Sequence, residues 1–323
     1  RIPVHFMAAR EVFELHGGLN GKVLQRAGVF SIDREGSDLR AIKAAMGIVF
    51  SGCFPLVMFP EGEIYHLNEQ LTPLNDGAAT IILRAAKNIA KGDAKRGAVI
   101  VPTAIRYTYT DDISGTFGPA MARLEKHILW QPQEDLAIVP RIYKFGEALL
   151  GLKEKEYLGV TLDGTLDERL ETFRERLVGA AETRWGGEAQ EGPLPERVRR
   201  LRGRLRAIIL DDERPDEQTI RDCYQTLDRL YVAVQLYSYP AQYLNQDPSQ
   251  DRIAETILKF EEDVFRAGSV KGPRRAEVSF CDPVDATACL ADYARDAKGT
   301  TRDLTRQVEA AIQARLPHHT VGN

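Results

Sequence analysis

The sequence predicts an α/β fold, a mixed or mostly parallel sheet flanked by helices, followed by a large all-helical extension. Three observations lead there. Short apolar runs alternate with helix-like stretches over the first 118 residues; the pattern is then almost wholly helical to about Ala267; and an alternating run, Ala276 to Phe280, follows it. Runs of strand length that are apolar throughout mark strands covered on both faces.

Val29-Phe30-Ser31-Ile32, Leu56-Val57-Met58-Phe59 and Ala98-Val99-Ile100-Val101 are those runs. Between them, Ser37 to about Ser51 and Asp76 to about Lys91 carry apolar residues at helical spacing. Ser37 and Asp76 are the N-caps this reading expects, and Gly52 and Gly92 stand where a helix can end in a left-handed residue. Ala120–Trp130, Gln133–Tyr157, Leu166–Trp185, Glu196–Leu210, Glu217–Tyr237 and Asp251–Arg266 read as helices broken by Gly and Pro clusters. A last helix is expected from about Thr301 to Leu316. The resulting division is 1–118 as the α/β core, 119–270 as the helical extension, and 271–323 as a strand returning to the first sheet and a C-terminal helix. No internal repeat is visible.

Composition excludes several classes. Forty-three Lys and Arg against 47 Asp and Glu leave a net charge of −4, so no global basic field draws the chain to nucleic acid. The four cysteines, Cys53, Cys223, Cys281 and Cys289, form neither a Cys-x-x-Cys pair nor a zinc ribbon. Reduced thiols and a cytoplasmic setting fit that spacing. The longest uncharged stretch, Ala44 to Pro60, is shorter than the roughly 18 to 20 apolar residues of a bilayer span. A Gly-x-x-x-x-Gly-Lys-Ser/Thr loop, a Gly-x-Gly-x-x-Gly loop and a Gly-x-Ser-x-Gly elbow are all missing. No metal site is expected from the six scattered histidines.

Three segments remain in which an apolar strand ends in polar chemistry. Gly28 to Arg34 places Asp33 and Arg34 at a strand end, Phe59-Pro60-Glu61-Gly62 ends a second strand, and Val101-Pro102 puts a proline in a third. Strand ends are where open α/β sheets hold their functional groups, and a proline in a strand marks an edge, a bulge or a site. In this order and spacing the segments resemble the second, third and fourth signature blocks of the glycerolipid acyltransferase family, whose best-known members acylate lysophosphatidic acid. Leu124-Glu125, Trp130 and Asp251 to Glu255 are more loosely similar to the C-terminal extensions of some bacterial members.

The resemblance implies a glycerol-3-phosphate acyltransferase-like core. It also implies transfer of a fatty acyl group from acyl-CoA or acyl carrier protein to a lysophospholipid or glycerolipid hydroxyl, in phospholipid biosynthesis, with no cofactor beyond that donor. Asp33, Arg34, Gly62 and Pro102 become substrate-binding candidates and Glu61 a supporting catalytic one. Each also has a plainer role: Arg34 as a surface cation pairing with Asp33, Glu35 or Asp38, Glu61 as a helix cap, Gly62 as a positive-φ turn residue, Pro102 as a strand-edge shape determinant.

The family's first block, His-x-x-x-x-Asp, supplies the general base. Five residues after His5, His16, His66, His127 and His318 stand Arg10, Gly21, Leu71, Pro132 and Asn323, so the block is absent. Together with the start at Arg1, this leads to the expectation that the chain is truncated, that the base lies upstream, and that the 323 residues alone are inactive. A second departure is Glu63-Ile64 where members acting on phosphorylated acceptors carry Thr or Ser and then Arg. That leaves Arg34, alone or with Lys22, Arg84 or Arg106, to hold a phosphate. A non-catalytic lipid-binding protein keeping the fold is the alternative.

Arg197 to Arg206 holds six arginines in ten positions around an apolar stripe of Val198, Leu201 and Leu205. One reading is a solvated face balanced by nearby acids. The other is contact with anionic lipid headgroups through Arg197, Arg200 and Arg204, which would make the protein peripheral on the inner membrane surface.

Overall fold

A computed structural model describes residues 3–14, 19–33, 38–93, 95–129, 131–186, 192–211, 215–239, 242–246 and 248–316. Its central strand is β1, His5–Ala9, which begins with a histidine and ends in two alanines and so lacks the continuous apolar run of the expected strands. Two short helices, α1 (Arg10–Glu14) and α2 (Leu19–Arg26), lead to β2, Val29–Ile32. Then α3 (Leu39–Ser51) crosses to β3, Leu56–Val57. All three strands are parallel in the order β2-β1-β3, with Phe6 opposite Val29 on one side and Val57 on the other. Because the chain leaves β1 toward β2 and returns on its far side as β3, the order reverses at β1. The strand ends beside such a reversal form a crevice.

Caps differ in part from expectation. Asp38 caps α3, its carboxylate accepting from the Ala41 amide at 2.9 Å, while Ser37 lies outside the described residues. Gly52 ends α3 in the left-handed conformation, at φ 64°. Helix α4, Gly77–Gly92, ends one residue beyond the expected Lys91. Asp76 makes no capping hydrogen bond there; its carboxylate accepts instead from Thr305 Oγ at 2.7 Å.

The third apolar run does not join the parallel sheet. It forms β4, Val99–Ile100, which pairs antiparallel with β7, Val284–Asp285. After it come β5 (Thr103–Tyr109), α5 (Phe117–Ile128), α6 (Ile138–Leu158), α7 (Leu166–Ala181) with a π-helical turn over Glu182–Gly186, and α8 (Leu194–Ile209). Next are α9 (Glu217–Tyr237), α10 (Tyr243–Gln246), α11 (Gln250–Phe265) and β6 (Arg274–Phe280), and beyond β7 lie α12 (Leu290–Arg295) and α13 (Ala297–Gln313). Strand β6 pairs with β5. The returning chain therefore meets β5 and β4 rather than the first sheet. A run of four apolar residues specifies a buried strand but not which strand it will pair with.

The described residues fall into two compact units, one drawn from residues 1–64, 71–104 and 278–318, the other from 65–70 and 105–277. In the first, Ala79, Ile82, Leu83 and Ala86 give α4 an apolar face at i, i+3, i+4 and i+7 spacing. That face packs with Ala98, Val284, Ala286 and Leu304. In the second, α7, α8 and α9 close one core around Phe173, Leu205 and Leu230, and α5, α6 and α11 close another around Leu124, Phe145 and Ile257.

A repeated ion pair links successive helices of the second unit. Buried Glu125, Glu154 and Glu182 each receive two guanidinium nitrogens, from Arg141, Arg169 and Arg197 respectively, at 2.6–3.0 Å. Each arginine is the fourth residue of its helix. The spare acceptor capacity of the first two carboxylates takes the amides of Gln133 and Leu162 in the intervening turns. The arginines stand 28 residues apart, and at the same offset residues 166–177 and 194–205 share Leu166/Leu194, Glu168/Glu196, Arg169/Arg197, Arg174/Arg202, Arg176/Arg204 and Leu177/Leu205, a local repeat that becomes evident once the ion pairs are seen.

Candidate active site

In parallel strands all C-terminal ends emerge on one edge, so Asp33 after β2 and the Phe59–Gly62 segment after β3 leave the sheet on the same side. The Asp33 amide donates to Asp38 Oδ2 at 3.2 Å, so a single carboxylate caps α3 and also holds the residue that follows β2. The amide of Ala41 holds the Asp38 carboxyl below its ordinary range, and that of Asp33 adds to the effect against the opposing influence of burial. Arg34 lies outside the described residues.

The turn after β3 is built from several directions. Gly62 donates its amide to the Phe59 carbonyl at 3.2 Å and has φ 77°, a left-handed conformation natural to glycine. A Cβ on Gly62 would stand 2.5 Å from Asn75 Nδ2, so a side chain is excluded by contact as well as by φ. Asn75 fixes the turn twice, its amide donating to the Pro60 carbonyl at 2.8 Å and its side chain to the Glu61 carbonyl at 3.3 Å.

Glu61 neither caps α4 nor begins it. Its Oε2 accepts from Thr72 Oγ at 2.5 Å and from the Thr72 amide at 3.3 Å. The segment carrying Thr72 and Asn75 is itself held by α13, where Glu309 accepts from the Leu74 amide at 2.6 Å and Gln313 from the Leu71 amide at 3.3 Å. Backbone groups without ladder partners need such acceptors, and here side chains from the C-terminal helix provide them. Thr72, Asn75, Glu309 and Gln313 are the residues that sequence reasoning missed. Thr72 and Asn75, flanking Pro73-Leu74 in Leu71-Thr72-Pro73-Leu74-Asn75 and followed by Asp76-Gly77, carried a turn signal that could have drawn attention to them.

Pro102 is buried between β4 and β5, with its carbonyl accepting from the Cys281 amide at 2.9 Å. It thus belongs to the ladders made with the returning chain, not to the sheet that carries Asp33 and Glu61. Of the other cations considered for a phosphate, Lys22 and Arg84 are exposed on α2 and α4. Arg106 is already paired with Glu69 at 2.6 Å. His66 Nε2 donates to Glu262 Oε2 at 2.9 Å, and burial pushes the His66 pKa down.

The Arg-rich helix is engaged within the second unit. Arg197 binds Glu182 and Glu175, Arg204 donates to the Gly186 carbonyl at 2.9 Å, and Arg200 stands 4.0 Å from Glu196. Arg199, Arg200, Arg202 and Arg206 all have partners of their own. Of the two readings of this helix, Arg197 fits the one in which nearby acids balance the arginines, with Glu182 and Glu175 as its partners.

With the turn geometry in place, comparison with known families is informative. Residues 1–106 match the family model described as Acyltransferase. The matched segment contains the sheet, Asp33, the Glu61 turn and Pro102, and the match is consistent with a glycerolipid acyltransferase family. No curated protein matches the chain, and no solved structure does. Among the described residues no helix is long and apolar enough to cross a membrane.

Proposed function

We propose that the protein moves a fatty acyl group from a thioester of coenzyme A or acyl carrier protein to a hydroxyl of a lysophospholipid or related glycerolipid, as a step of phospholipid assembly. The observation that carries this reading is the braced Phe59-Pro60-Glu61-Gly62 turn, leaving the same sheet edge as Asp33 inside the segment that matches the Acyltransferase family model. In this reaction the acceptor oxygen attacks the thioester carbonyl, the thiolate leaves, and a base takes the hydroxyl proton. Arg34 and Asp33 hold the acceptor headgroup, a guanidinium fork being suited to phosphate oxygens. Glu61 keeps the turn in register, so that backbone donors near Gly62 can meet the developing oxyanion. Pro102 shapes the pocket. The base in this family is a His-x-x-x-x-Asp pair, which none of the six histidines forms.

The test supplies labelled acyl-CoA and a panel of lysophospholipids to the intact protein, with Arg34→Ala beside it. Label in a diacyl product that falls at least tenfold with Arg34→Ala supports the reading. Lyso-lipid binding without transfer to any acceptor would favour the alternative, a lipid-binding protein that keeps the fold.

A further inference from the structure

We propose that the face formed by α3, α4 and the turns that follow them docks on an anionic lipid bilayer. The inference rests on the glycerolipid reading above and names a surface that would hold the first unit at a membrane; its Phe50 and Phe54 stand beside the start of β3, at the sheet edge opposite the Asp33 and Glu61 turns.

Charge is the first observation. Over residues 39–58 and 77–98 the chain carries Arg40, Lys43, Arg84, Lys87, Lys91, Lys95 and Arg96 against the single acid Asp93, although acids outnumber bases in the whole chain. All seven cations are exposed, and α3 packs against α4, so the cations share one part of the first unit.

Exposed apolar side chains on the same elements are the second observation. Leu39 is 58%, Phe50 46% and Phe54 41% exposed. Arg96 Nη2 donates to the Phe50 carbonyl at 2.9 Å and would lie 2.6 Å from a Cβ on Gly52. The turn after α4 is therefore seated against the turn after α3, bringing Lys95 and Arg96 beside Phe50 and Phe54.

Exposed phenylalanines among lysines suit an interfacial site: rings enter the acyl boundary while ammonium groups meet anionic headgroups. Lipid is favoured over an acidic protein partner because the apolar side chains, Leu39 and Phe50 at the two ends of α3 and Phe54 in the turn after it, are exposed singly among cations and do not line a groove that would receive a helix. The competing basic surface, α8, has its arginines engaged within the protein.

Co-sedimentation of the intact protein with vesicles of phosphatidylcholine alone, and of phosphatidylcholine and phosphatidylglycerol in equal parts, tests this. Binding is expected only to the mixed vesicles and to weaken with salt. Each basic side chain removed should cost roughly fivefold in affinity, so the triple variant Lys87→Gln, Lys91→Gln, Lys95→Gln should lose roughly 100-fold while melting like the parent. Phe50→Ser should weaken binding with the salt dependence unchanged, and Arg199→Gln with Arg200→Gln should leave it intact. Equal binding to both vesicles, no binding, a triple variant that binds like the parent, or binding lost only with the α8 variant overturns the proposal. So does capture of acyl carrier protein by this face with vesicles ignored. Acyl transfer to monomeric lyso-lipid, measured on the same preparations, separates the two readings: transfer without vesicle binding removes the docking face alone, and vesicle binding without transfer removes the enzyme reading alone.

Discussion

Arg141 presents Nε and Nη2 to the two carboxylate oxygens of Glu125 at 2.7 and 2.6 Å, with both side chains buried. Paired charges in a low-dielectric interior add little over a well-packed apolar pair, but removal of one partner strands the other. Glu125→Leu is therefore expected to cost about 3–5 kcal/mol, and the double variant with Arg141→Leu to recover most of that loss. Urea unfolding of the three variants measures it. A double variant no more stable than Glu125→Leu would mean that the pair acts through something other than mutual charge compensation.

Glu61→Gln separates bracing from chemistry. Glutamine keeps an oxygen that can accept from Thr72, so the melting temperature should stay close to the parent's. If the carboxylate charge serves the reaction, acyl transfer should fall at least tenfold. Thr72→Val removes the hydroxyl that donates to Glu61 and should destabilise by roughly 1–3 kcal/mol, the usual range for a hydrogen bond to a charged group or a buried group left unsatisfied. Calorimetry beside the transfer assay reads both; a normal rate in Glu61→Gln leaves the residue a purely structural role.

Gly62→Ala meets two obstacles, the positive φ and the Asn75 amide nitrogen. The conformational part costs about 1–2 kcal/mol, and the contact adds to it. Adding Asn75→Ala relieves the contact while surrendering the side-chain bond to the Glu61 carbonyl and keeping the amide bond to Pro60, so the double variant should stay below the parent in melting temperature. A Gly62→Ala protein as stable as the parent would show that the turn rearranges freely.

Stability should depend on pH through the interior of the second unit. Burial pushes the Glu255 carboxyl up to about 7, despite hydrogen bonds from Tyr243 and the Asn68 amide, and pushes the fully buried Lys259 ammonium down to about 8. Between 4.5 and about 7 the folded state holds a proton at Glu255 that the unfolded chain releases, so stability falls as pH rises through that window. Between about 8 and 10.5 the unfolded chain keeps a proton at Lys259 that the folded state gives up, so stability rises with pH. The pair thus contributes a minimum near pH 7–8. Chemical unfolding from pH 5 to 10 should show it, and Glu255→Gln should flatten the acidic side. An unchanged acidic slope in that variant would assign the titration to other groups.

Much of this was legible in the chain. The polar turns were found because Asp33 and Glu61 follow apolar runs directly, and helices α7 and α9 start at the residues their periodicity gave. Strand β1 was overlooked because His5-Phe6-Met7-Ala8-Ala9 is short, with a histidine at one end and two alanines at the other. No local pattern distinguishes Tyr239 and Tyr243 from the other tyrosines. In the structure these two hydrogen-bond Asp263 and Glu255, and the Lys259 ammonium lies 5.0 and 5.9 Å from their rings.

By itself the sequence determined the alternation of strand and helix, the division into an α/β part and a helical part, and the turns that carry Asp33, Glu61 and Gly62. Those features depend on neighbours within a few positions, through periodicity, caps and the special backbone freedom of glycine. Tertiary structure alone decided that β4 pairs with β7, that Thr72 and α13 brace the Glu61 turn, and that Arg197 serves Glu182 rather than a lipid. In each of these the partner lies between 11 and about 240 residues away. Such pairings form where burial leaves a polar group to be satisfied, and no local pattern records which distant donor will be there.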